Sequence, residues 1–232
     1  MSRSKRSLTS TDRIYTDLRK AIILGYRNPG ERLDLEELAD QYGTSVTPVR
    51  EALQMLSQER LVTTKPHAGY YVTQVTLKEL RDMLELREIL EVAAVERAAI
   101  LITDEQLAEL ECVHAVYTAD NEASYERCVI ENRRLHYLIA RASGNQELAN
   151  TLGRLHDRLA RFFVFVHTGE EVKKRHYRLI EALRTRDPEI ARQMILEEVR
   201  ETQRITMEHI IQRGGAAWYV HIRPENDGQV DR

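Results

Sequence analysis

Gly43-Thr44-Ser45-Val46-Thr47-Pro48-Val49-Arg50-Glu51-Ala52-Leu53 reads as a tight turn running into a helix. Gly43 ends the preceding helical pattern, because glycine tolerates the positive φ that a helix stop requires. Ser45 and Thr47 each offer an oxygen to an orphan N–H at the new helix start. Pro48 fits the first turn, where no N–H partner is lost. Val49, Leu53 and Leu56 then repeat at i, i+4 and i+7 and define a buried face. Thr47 and Arg50 point away from that face, near the helix N-terminus. A small polar residue and an arginine there suit a phosphate or a base edge. Upstream, Leu35 to Tyr42 is a short amphipathic helix. Downstream, Val62-Thr63-Thr64 and Tyr70-Tyr71-Val72-Thr73 are β-prone runs joined by a Pro/Gly turn, which predicts a hairpin. Lys65, His67 and Gly69 belong to that turn region. The order is that of a winged helix-turn-helix, in which the hairpin is the wing. The positions expected on DNA are Ser45, Thr47, Arg50, Lys65, His67 and Gly69.

Several of these words resemble the GntR family of bacterial transcription regulators. They are Asn28-Pro29-Gly30-Glu31-Arg32-Leu33, Leu38-Ala39, the run from Ser45 to Leu53, and Gly69-Tyr70-Tyr71-Val72. They span about the first third of the chain, in the order and spacing of that family. The chain departs from it at two places. The arginine usual after the serine is Val46, and the arginine usual before the wing glycine is Ala68.

Composition agrees with a folded protein. Of 232 residues, 42% are hydrophobic and 31% charged, which excludes a disordered chain. The net charge of −3 argues nothing for DNA by itself. Its distribution does: residues 1–74 carry 11 Lys and Arg against 9 Asp and Glu, and the remainder 23 against 28. Cys112 and Cys128 lack metal-type spacing and read as reduced thiols. No run is long and apolar enough to span a membrane, and the first residues are polar, so a cytoplasmic location without membrane contact is expected. Arg3, Lys5 and Arg6 read as a polar tail, with a backbone-touching arm as the alternative.

Thr11 or Asp12 is expected to cap a first helix reaching Leu24, with Ile14, Leu18 and Ile22 buried. From residue 76 on, every segment is helical. Thr76-Leu77-Lys78-Glu79 is a capping box, and Thr103 with Gln106 is a second. The pattern predicts six helices, about 77–101, 104–119, 124–142, 146–167, 170–186 and 188–213, in an antiparallel bundle. The expected division is a DNA-binding domain over 1–75, a helical effector-binding and dimerisation domain over 76–213, and a tail over 214–232.

The helix stripes carry polar residues into this bundle. Tyr125, Val129, Asn132, His136, Ile139 and Ala140 share one face. Val172, His176, Ile180 and Leu183 share another, and Ala191, Met194, Glu198, Thr202 and Ile205 a third. Asn132, His136, His176 and Glu198 are thus aimed inward. Buried polar groups must be paired or must bind something, so this set is read as a ligand or metal site. His156, with Leu152, Leu159 and Phe163, is read as a core histidine, with a substitute ligand of that site as the alternative. Arg87 lies on the stripe Leu80, Leu84, Arg87, Leu90, Ala94 and needs an anion, either a core acid or the carboxylate of an effector.

This part resembles the C-terminal ligand-binding domain of the FadR branch of the same family. The resemblance implies a divalent metal held by an Asp-x-x-x-His pair and two later histidines. Here those positions are Asn132, His136, His176 and Glu198. Asn for Asp and Glu for His leave one carboxylate in the set, but move it. Zn, Ni or Mn suits two imidazoles with oxygen ligands. The resemblance also implies a small organic acid effector, with Arg87 lining its pocket, and a homodimer on a two-fold DNA operator.

Two rival readings are set against this one. A di-iron bundle enzyme needs two Glu-x-x-His motifs, and only Glu111-Cys112-Val113-His114 matches. A winged helix used solely for protein contacts would lack salt-dependent binding to duplex DNA.

Overall fold

The computed structural model describes residues 9–114, 122–163 and 169–214. The chain divides into two compact units between Val75 and Thr76. The basic residues at 3, 5 and 6 and the tail beyond Gly214 lie outside the described residues.

The first unit opens with α1, Ser10–Ile23, and its core residues are Ile14, Leu18 and Ile22, as the periodicity predicts. The cap is Thr9 rather than Thr11 or Asp12. Thr9 accepts from the Asp12 N–H while the Asp12 carboxylate accepts from the Thr9 N–H, a reciprocal capping box. A short strand β1, Arg32–Leu33, follows, and then helices α2, Leu35–Tyr42, and α3, Val46–Gln58. Asp34 caps α2 by accepting from the N–H groups of Glu36 and Glu37. Gly43 closes α2 in the left-handed conformation, φ 62°, which frees the chain to turn into α3. Val49, Ala52, Leu53 and Leu56 of α3 are fully buried against α1 and α2. Polar ties reinforce this: Thr11 donates to Glu51, and both Tyr15 and Arg19 bond Glu59.

The wing is β2, Val62–Lys65, paired antiparallel with β3, Gly69–Val72, from Val62 opposite Val72 to Lys65 opposite Gly69. β1 adds to the other edge of β3, so the sheet order is β1-β3-β2. This third strand is not expected from the pattern, since two residues cannot show an alternation.

The second unit contains α4, Leu77–Leu101; α5, Asp104–His114; α6, Glu122–Ala142; α7, Gln146–Phe163; α8, Gly169–Arg184; and α9, Pro188–Gly214. Both expected capping boxes form, at Thr76 with Glu79 and at Thr103 with Gln106. Asp187 caps α9 through the N–H groups of Glu189 and Ile190. α4 is central and packs on α6, α7, α8 and α9. One apolar cluster joins α4, α5, α6, α8 and α9 through residues such as Val95, Leu110, Leu135, Leu183 and Ile195. A smaller one joins α4, α6 and α7 through Ala94, Ala140 and Leu152. The alanines let α4 approach its neighbours closely. One helical turn before Ala94 and Val95 the apolar packing gives way to charge.

Candidate functional site

At the start of α3 the structure separates two faces. Val49 and Leu53 are buried, while Thr47 and Arg50 are exposed. Ser45 occupies the N-cap position, but its side chain makes no cap hydrogen bond, so the expected capping role is not taken. Pro48 falls within the first turn. Across the wing, Lys65 and His67 are exposed, and the Lys65 ammonium lies 4.4 Å from the centre of the Tyr71 ring. His67 and Gly69 both hold positive φ, at 60° and 101°. A non-glycine residue there is strained, and the Tyr71 hydroxyl supports the turn by donating to the Ala68 carbonyl. Ser45, Thr47, Arg50, Lys65, His67 and Gly69 all lie in the first unit, on the turn, the helix start and the wing.

The interior site forms on α4 and the four helices packed around it. Arg87 and Glu91 of α4, His136 of α6, His156 of α7, and His176 and Glu198 of α8 and α9 are each at most 4% exposed. His136 stands between two carboxylates. Its Nδ1 is 2.8 Å from Glu91 Oε1, and its Nε2 is 3.1 Å from Glu198 Oε1. Both oxygens lie off the ring-nitrogen axes, so neither contact is a well-directed hydrogen bond. His176 Nε2 is 3.4 Å from Glu198 Oε1. The His136 ring stacks on His156 at 4.6 Å between centres and meets His176 edge-on at 5.5 Å. The three predicted ligands His136, His176 and Glu198 therefore converge. Asn132, the fourth expected ligand, is buried at 9% exposure, but no hydrogen bond joins it to them.

Arg87 finds core acids, the plainer of its two expected partners. Its Nε donates to Glu91 Oε1 at 3.3 Å, and Nη2 is 3.8 Å from Glu198 Oε1. Arg87 Nη1 is buried without an acceptor, and Glu198 Oε2 is buried without a donor.

Burial opposes charge on every group here, and the neighbours decide which groups keep it. On His136 the two flanking carboxylates overcome burial and raise its pKa to about 9. Burial would raise Glu91, but His136 and His156 hold it well below the usual carboxylate range. Glu198 is likewise held low by His176 and His136 against the burial penalty. His156 is driven down to about 4, chiefly by burial, against the pull of Glu91. His176 is also lowered by burial. The result is Arg87 and His136 positive, Glu91 and Glu198 negative, and two neutral histidines.

This donor chemistry fits a divalent metal. Two sets, Glu91 with His136 and His156, and His136 with His176 and Glu198, place their ligand atoms within 4.8 Å of one another. For metal–nitrogen bonds of about 2.1 Å, tetrahedral ligands stand roughly 3.4 Å apart. The 3.1 and 3.4 Å contacts of Glu198 match that spacing. Sequence reasoning missed Glu91 and set His156 in the core. An Arg87/Glu91 pair at i, i+4 is the signal that was available.

Comparison with known proteins agrees with both units. Residues 10–72 match the gntR family of bacterial regulatory proteins, and residues 82–201 match the FCD domain. The transcriptional repressor GlaR of Escherichia coli is 30% identical over 210 residues, covering 83% of this chain and 95% of that protein. The transcriptional regulator YdhC of Bacillus subtilis is 28% identical over 193 residues, covering 78% and 84%. The solved structure of Escherichia coli McbR superposes with a TM-score of 0.72 at 25% identity, covering 88% of this chain and 99% of that one. No helix among the described residues is long and apolar enough to cross a membrane. With a winged helix-turn-helix followed by an FCD domain, and with regulators as its relatives, the chain belongs to the GntR family: it is a DNA-binding transcription regulator with a C-terminal effector-binding domain, not an enzyme.

Proposed function

We propose that this regulator binds a two-fold operator as a homodimer and responds to a small carboxylate held in the bundle at a divalent metal. The observation that carries the reading is the pair of buried atoms left without partners in one cluster, Glu198 Oε2 and Arg87 Nη1. One asks for a cation and the other for an anion. His136, His176 and Glu198 would hold the metal, with the Asn132 oxygen as a further candidate ligand. Two imidazoles with oxygen ligands favour Zn, Ni or Mn. When bound, the ion supplies a Lewis-acidic position for a carboxylate oxygen. Charge supports this. The metal-free cluster is neutral only because His136 carries a proton. A dication in place of that proton leaves one excess positive charge, which a monocarboxylate beside Arg87 balances. The effector then acts by its differential affinity for DNA-competent and DNA-incompetent states.

The test is a metal titration of the chelator-treated protein. Its melting temperature should rise with free Zn, Ni or Mn, by mass action on the folded state. His176→Ala should abolish that rise. A wild-type protein indifferent to all three ions would leave an organic effector alone as the occupant.

On the DNA side, Arg50 is exposed near the start of α3, off its buried face. Arg50→Ala should therefore abolish specific binding to duplexes selected from a random library while leaving the circular dichroism spectrum unchanged. Unaltered affinity would remove Arg50 from the interface. Val46→Arg should steepen the salt dependence by about one phosphate's worth.

Dimerisation is supported by exposed Leu86, Ile89 and Ile100 on α4. Two heads about 34 Å apart are needed for a two-fold operator. Full-length protein should sediment as a dimer, and Ile89→Glu should shift it toward monomer. A dimer indifferent to Ile89→Glu would place the contact elsewhere.

A further inference from the structure

His136 is shared by two candidate cation sets, and a neutral imidazole has one lone pair to give. A cation on the Glu198 side uses Nε2 and leaves the proton on Nδ1, facing Glu91. A cation on the Glu91 side does the reverse. Three observations separate the two.

Glu91 Oε1 is already engaged. It accepts directed hydrogen bonds from His156 Nε2 at 2.7 Å and Arg87 Nε at 3.3 Å. Glu198 Oε2 has no donor at all. Next, the Arg87 guanidinium is bonded directly to Glu91 and stands farther from Glu198, at 3.8 Å. A dication beside Glu91 meets a fixed positive charge that cannot be shed. Finally, the Glu91 contacts of 2.7 and 2.8 Å are closer than the roughly 3.4 Å that separates tetrahedral ligands on one metal, whereas the Glu198 contacts of 3.1 and 3.4 Å match it.

We infer that Glu91, braced by Arg87 and His156, is the positioning residue that keeps the His136 proton on Nδ1 and so presents Nε2 as the metal ligand. This rests on the metal reading above. The Glu91 carboxylate, 2.8 Å from Nδ1, favours a proton there by its charge and so makes the far, ligating nitrogen more basic. His156 does not ligate. It donates to Glu91, and its ring, stacked at 26° on His136, limits tilting of that imidazole. Arg87 thus serves two groups at once, holding Glu91 through Nε while Nη1 remains for an anion.

The test uses full-length protein, stripped of metal and reloaded with Co(II) or Zn(II). In the Zn(II)-loaded wild type with 15N-labelled histidine, His136 should show a protonated Nδ1 and a metal-bound Nε2. Glu91→Gln should weaken Co(II) binding about 10- to 100-fold and shift its visible absorption bands. His156→Gln, which loosens Glu91 without removing its charge, should give an intermediate loss. A metal-bound Nδ1 on His136, or wild-type Co(II) affinity in folded Glu91→Gln, would overturn the inference. Should Glu91→Gln fail to fold, the nitrogen spectrum of the wild type decides alone. Wild-type protein that takes up neither ion overturns the metal reading itself, and that result appears before any variant is compared.

Discussion

Glu91→Leu should destabilise the metal-free protein by about 3–5 kcal/mol at pH 7, and by more than Glu198→Leu. Both remove a buried carboxylate and put a side chain of similar volume in its place. They differ in what is left behind. Without Glu91, the Arg87 Nε and the His156 Nε2 lose their acceptor. A guanidinium cannot neutralise itself by releasing a proton, so a buried cation is left with only the longer 3.8 Å contact to Glu198. Without Glu198, the principal cation affected is His136, 3.1 Å away. An imidazolium can release its proton and limit the damage. Urea denaturation of chelator-treated variants, followed by helical circular dichroism, gives the order. A larger loss for Glu198→Leu would mean that the cluster is organised around α9 rather than α4.

The same comparison shows why part of the site was hard to read. The DNA-reading half was legible because its signals are local. Gly43, Ser45 and Pro48 punctuate the turn, and Val49, Leu53 and Leu56 mark the buried face within three helical turns. The bundle's helices were legible for the same reason, through Thr76/Glu79, Thr103/Gln106 and Asp187/Pro188. Strand β1 was not, because two residues paired to β3 carry no period of their own. The cap of α1 is Thr9, two or three residues before the expected Thr11 or Asp12, although Thr9-Ser10-Thr11-Asp12 spells a capping box.

Within the bundle, periodicity correctly turned His136, His176 and Glu198 inward. It failed at Glu91 for a physical reason. Leu90 and Glu91 both lie beside the α4 seam, and hydrophobicity favours the leucine. The structure buries Glu91 and leaves Leu90 partly covered. A buried carboxylate is tolerable there only because partners arrive from other helices. Those partners lie 45 and 65 residues further along the chain, at His136 and His156, and no local pattern announces them. Arg87 was correctly singled out as a group that needs an anion. Which anion is a tertiary question, and the core supplies one while leaving Nη1 open.

The stability of the metal-free protein should peak near pH 6.5 and fall on both sides. His136 has a folded pKa of about 9, above the ordinary 6.5. A raised pKa means the folded state holds the proton more tightly. Its stabilisation is therefore complete below pH 6.5 and is lost as pH rises through 9. The shift corresponds to about 3 kcal/mol at most. His156 is displaced the other way, to about 4. The unfolded chain then takes up a proton that the folded state refuses, so stability falls as pH drops from 6.5 toward 4. The lowered pKa of His176 acts in the same direction. The held-down carboxyls of Glu91 and Glu198 add further losses below about pH 4.5. Urea midpoints across pH 5 to 9.5, with chelator present, measure both limbs. His136→Gln lowers stability overall but removes the titrating group, so it should flatten the alkaline limb, while burial of His156 and His176 keeps an acid one. An alkaline limb that survives His136→Gln would assign it to another group, and the proton would lose its place as the cluster's second cation. Where it does vanish, a dication that displaces the same proton should bind more tightly as pH rises from 7 to 9, along the limb where the free protein weakens.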